Sequence, residues 1–108
     1  MFLVRRVCEV ERKNVWQVAR LLRSMCRAYE ENNGRAEAMI YVSGTGTPGK
    51  DVTVSAEWQQ ETIEAIRIPN VPDTVKKDNV ELQKLLLSYE IEFHEIATDD
   101  KIAERTRR

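Results

Sequence analysis

Two sets of residues in this chain have the types and spacing that do chemistry. The first is Gly44-Thr45-Gly46-Thr47-Pro48-Gly49, which fits G-x-G-x-x-G and continues through Lys50-Asp51 as a near miss to a P-loop. Such loops hold phosphate with successive backbone N–H groups and the N-terminus of a following helix. Here Pro48 removes a donor, Asp51 sets a negative charge where a hydroxyl is needed, and the next residues alternate like a strand. The run reads as a mobile hairpin tip, with a ligand-covering flap as the intermediate reading.

The second set is dispersed: His94, Tyr41, Arg5 and Glu57. His94 is the sole histidine and the one side chain whose ordinary pKa lies near neutrality. With Tyr41 it forms the candidate catalytic pair, and Arg5 and Glu57 are the candidate ligand-binding residues. The structural alternative makes His94 an interface or rim residue bonded to a carboxylate. It makes Arg5 and Glu57 cross-strand charge partners that fix register or dimer pairing. A lone histidine and no C-x-x-C leave no metal-ligand pattern, and no cofactor is expected. Cys8 and Cys26 fall at different heights on a strand and the helix returning from it, so two buried free thiols are expected rather than a disulfide. Free thiols suit a reducing cytoplasm.

These residues need a scaffold, and an amphipathic stretch from Asn14 to about Asn33 organises it. Val15, Val18, Ala19, Leu22, Met25, Cys26 and Tyr29 recur at helical spacing, opposite Arg20, Arg23, Arg27, Glu30 and Glu31. Asn14 with Gln17 resembles a capping box, and Gly34 suits a left-handed stop. A helix of this kind is stabilised by burying its stripe, so the rest of the chain must supply the receiving surface.

Phe2 to Glu11 alternates as a first strand, with Arg6 the misfit on its apolar parity. Arg35 to Ser43 and Val52 to Trp58 alternate as a hairpin around the glycine-rich tip. Gln59 to Arg67 suggests a short helical turn, and Pro69 and Pro72 forbid a regular helix through their segment. A second helix is expected from Asp73 to about Ser88, turning Val75, Leu82, Leu85, Leu86 and Tyr89 inward. A fourth strand follows over Glu90 to Ala97, with Ile91 and Phe93 on one face and His94 and Ile96 on the other. Trp58 reads as core, and Trp16 as a cover for the sheet edge. Residues 1–98 form one domain and 99–108 a polar tail that is frayed or a short helix.

The order strand-helix-strand-strand-helix-strand predicts an α+β, ferredoxin-like βαββαβ sandwich: one four-stranded antiparallel sheet with two helices on one face. The open face would carry Leu3, Arg5, Val7, Glu9, Met39, Tyr41, Thr53, Ser55, Glu57, Glu92, His94 and Ile96, mixed in the manner of a partner surface or a lined cavity. In length, element order and this patterning the chain resembles the dimeric α+β-barrel superfamily over about Phe2 to Thr98. The resemblance implies a homodimer through the open sheet face, with one cavity per subunit between second helix and sheet. It also implies a small apolar ligand there, and, if an enzyme, a cofactor-independent oxidation or isomerisation of a small ring, as in proteins similar to antibiotic-biosynthesis monooxygenases. A non-catalytic oligomerisation or protein-interaction module is the alternative.

Composition narrows the partners. The 108 residues carry a net charge of -1, with basic and acidic residues interleaved. Nucleic acid and anionic membranes are bound through clustered positive charge, so neither is expected. Nor do the outer strands carry the stacking aromatics of the RNA-binding sandwiches. The opening apolar run is too short for a signal peptide, and the expected location is the cytoplasm.

Overall fold

The computed structural model describes residues 1–107. Strands β1 (Phe2–Val10), β2 (Met39–Ser43), β3 (Thr53–Gln60) and β4 (Leu86–Glu95) form one antiparallel sheet in the order β2-β3-β1-β4. The helices are α1 (Val15–Asn33), α2 (Asp73–Gln83) and α3 (Asp99–Thr106), with 3₁₀ turns at Arg12–Asn14 and Ile63–Ile66. This is the ferredoxin-like α+β architecture that the element order predicts, with a third helix in the polar tail, whose last residue, Arg108, lies outside the described residues.

α1 forms for the reason its stripe gives. Val15, Val18, Leu22, Met25, Cys26 and Tyr29 are buried, and Leu21 and Ala28 widen the covered surface to a second flank. The sheet contributes Val4, Cys8, Val10, Val54, Ala56 and Trp58 beneath it. The helix ends at Gly34, whose φ of 67° is the left-handed conformation that glycine takes without a Cβ penalty. The expected Asn14 cap bond is not made, because the 3₁₀ turn feeds straight into α1. Gly44 opens the β2–β3 tip at φ 86°, and a Cβ there would run into the Asp51 carbonyl. The glycine-rich run therefore joins two antiparallel strands and leads into no helix.

Three expectations are corrected. Arg35 to Ala38 is not strand; β2 begins only at Met39. α2 stops at Gln83, and Leu86 to Tyr89 belong to β4, whose pairing with β1 gives the backbone groups of both strands partners along nine residues of register. Trp16 is no cover for the sheet edge: the residue is 73% exposed.

α2 buries Val75 and Leu82 and packs on α1, while scarcely touching the sheet. The inner, helix-side face of β4 is consequently bare. Tyr89, Ile91 and Phe93, which pair with Cys8, Arg6 and Val4 of β1, are all partly open to solvent. α3 buries none of its residues and is held at its start by Thr98, whose Oγ1 accepts the Lys101 N–H at 3.2 Å.

Candidate functional site

The sequence-derived candidates fall on the outer sheet face. Register puts Met39, Glu57, Arg5 and Glu92 in one row across all four strands. Arg5 Nε donates to Glu57 Oε1 at 2.6 Å, and its Nη1 lies 3.6 Å from Glu92 Oε1. The same Glu92 oxygen is 2.9 Å from His94 Nε2. One ion network thus ties Glu57, Arg5, Glu92 and His94 together. Tyr41 is apart from it. It sits on the opposite edge strand from His94, about 14 Å away across three strand spacings and about 13 Å along them. Tyr41 does share a shallow depression of about 350 Å³ with Glu57, Leu3 and Met39. Within the chain the structure therefore groups Arg5, Glu57 and His94, and leaves Tyr41 and His94 separate.

The helix-side face holds a different arrangement. Alternation along β1 sends Arg6 inward, directly beneath the helix layer, where its guanidinium lies 5.7 Å from the centre of the Trp58 ring. Gly34 turns the chain so that Arg35 folds back over the same region, 4.0 Å above the Tyr29 ring and 4.5 Å from Trp58. Cation–aromatic contacts at this range are attractive, more so where water is excluded. Trp58 is fixed in turn by its Nε1–H, which donates to Gln60 Oε1 at 3.0 Å.

Burial sets the electrostatics of this cluster. It pushes the Cys8 thiol up to about 11, against the pull of Arg6. It raises Cys26 and the Tyr89 phenol as well, with the Arg6 charge again opposing. Arg35 moves below its usual range, first from burial and then from repulsion by Arg6. Both cysteines are free and buried, so they act as packing residues with protonated thiols. Register sets Arg6 directly opposite Ile91 of β4, with Tyr89 and Phe93 the next residues on the same face.

These residues border one open strip of the helix-side face, here called the trough: Arg6 lies in it opposite the exposed Ile91, Tyr89 and Phe93 flank Ile91 on β4, and Arg35 sits on the Tyr29 ring of α1. Arg35 also lines an adjoining cleft of about 480 Å³ with Ala36, Gln60, Ala65 and Ile68, a size within the range of small-molecule sites. Sequence reasoning missed this site. Its one visible signal was Arg6 on an apolar parity; Tyr89 was placed on a helix and Arg35 in a strand, so neither could be seen facing it. Among the described residues no group of three or more His, Cys, Asp or Glu is gathered as metal ligands, and no helix is long and apolar enough to cross a membrane.

Comparison with known proteins supports the fold. No family model matches the sequence, and no curated protein is similar to it. Solved structures are similar in shape at low identity. An antibiotic biosynthesis monooxygenase superposes with a TM-score of 0.66 at 10% identity, covering 91% of this chain and all (100%) of the other. A NIPSNAP family protein from Agrobacterium tumefaciens gives 0.65 at 13% identity, covering 91% and 93%. A dimeric protein of unknown function with a ferredoxin-like fold, from Bacteroides fragilis, gives 0.61 at 11% identity, covering 88% and 96%.

Proposed function

We propose that this protein binds a small, largely apolar molecule in the trough between α1 and β4. One observation carries the reading: α2 leans on α1 and leaves Tyr89, Ile91 and Phe93 uncovered beside a cation–aromatic cluster. Open apolar side chains next to a few convergent polar groups are the ordinary make-up of a ligand site. The finer reading is turnover: a cofactor-independent oxidation or isomerisation of a small ring, the reaction class that the resemblance implies, with oxidation in keeping with the monooxygenase neighbour's name.

The working unit is a homodimer through the outer sheet face. Met39 and Tyr41 are about half exposed there, beside the partly buried Leu3 and Val7 and an ion network that can align the two copies. The name of the Bacteroides fragilis neighbour supports a dimer on this fold. In this arrangement His94 with Glu92, Tyr41, Arg5 and Glu57 serve the interface, and proton handling by His94 is the catalytic alternative.

Titrating ¹⁵N-labelled protein with 2-naphthol tests the site. Amide shifts should centre on Arg35 and residues 89–93, and Ile91→Glu, a change at an exposed position, should abolish them. Shifts centred on the Tyr41 and His94 face would move the site outward and end this reading.

A further inference from the structure

The trough contains a charge imbalance. Arg6 and Arg35 arise from different elements yet converge on one tryptophan, and Arg6 lies opposite Ile91 in the register of β1 with β4. Among the described residues neither has a carboxylate within ion-pair distance; the bridges formed involve Arg5, Lys13, Lys84, His94 and Lys101 instead. The acid that acts on Arg35 is Glu30 of α1, and one of its oxygens is taken by the Ala38 N–H at 3.0 Å. Two cations thus face one acid.

Arg6 adds a second observation. Its Nε is buried and has no hydrogen-bond partner. A buried charged donor left unmatched is costly, and two neighbouring guanidiniums repel one another. A strand position on an apolar face would be filled far more favourably by Val or Ile, so the arginine needs a reason. An anion between the two guanidiniums supplies one, since planar forks suit carboxylates.

We infer that the Arg6–Arg35 pair seats the acid group of the ligand, whose flat apolar body lies along Ile91 and Phe93: the ligand is an aromatic carboxylic acid. This rests on the trough being the ligand site and names the chemical class it takes.

Calorimetric titration of the full chain with 2-naphthoate and with its neutral isostere 2-naphthamide tests the assignment. The acid should bind at least about tenfold more tightly than the amide. Arg6→Met and Arg35→Met should each erase that preference while leaving amide binding in place. Equal affinity of acid and amide for the unaltered protein overturns the anion seat and leaves the trough standing. If neither compound binds, both readings fall together.

Discussion

Arg5 and Arg6 are the same residue, adjacent in sequence, and they meet opposite fates. Strand alternation sends Arg5 to the outer face, where Glu57 and Glu92 flank it in register. Arg6 goes inward, to an aromatic ring, a second guanidinium and no carboxylate within reach. The outer pair is matched within the chain, partly wetted, and therefore worth little to stability. The inner one is unmatched and half-buried. A buried donor without a partner calls for an explanation where a paired one does not, so the inner arginine is the more informative of the two.

Three measurements can break or sharpen that contrast. The largest effect is expected at the inner aromatic centre. Trp58→Ala removes a ring that is 2% exposed and shared by both inner cations. Denaturant unfolding should show a loss of about 3–5 kcal/mol; a loss below 1 kcal/mol would mean the inner face is not packed as described.

Next comes pH. The folded Cys8 thiol ionises near 11, against 9.0 ordinarily. Its contribution is therefore complete below pH 9 and is lost as pH rises from 9 toward 11, where only the unfolded chain releases the proton. The loss should reach about 2–3 kcal/mol. Thermal melts at pH 8 and pH 10.5 should show it, and Cys8→Ala should flatten the slope. A slope unchanged by that substitution would place the titration elsewhere.

The smallest effect separates the two arginines directly. In ligand-free protein, Arg5→Met should destabilise by up to about 1 kcal/mol, because Glu57 and Glu92 lose their partner. Arg6→Met should stabilise by about 1 kcal/mol, because an unmatched donor is replaced by a side chain that suits its surroundings. Equal destabilisation by both would erase the distinction between the faces.

Much of the scaffold was legible in the sequence. The stripe from Val15 to Tyr29 and the alternation of β1 and β3 follow directly from helical and strand periods, and the outer row of Arg5 and Glu57 from strand parity. The boundary between α2 and β4 was not legible, because Leu85-Leu86-Leu87 satisfies a helical and an extended pattern equally. Pairing with β1 decides it, a long-range effect that no local window contains. That misplacement carried Tyr89 out of the site. Arg35 was lost for a related reason: its position depends on the turn at Gly34, and the alternating Ala36, Ala38 and Ile40 imitate a strand that starts four residues too early.

The two tryptophans give the molecule a pair of built-in optical reporters. Trp16 stands in water, while Trp58 is sealed beneath α1 with a cation near its ring. Their emission should differ in wavelength, the first red-shifted and the second blue-shifted. Replacing Trp16 by Phe would leave one clean signal, located where the two inner charges meet, and any event at that junction would announce itself as a change in colour.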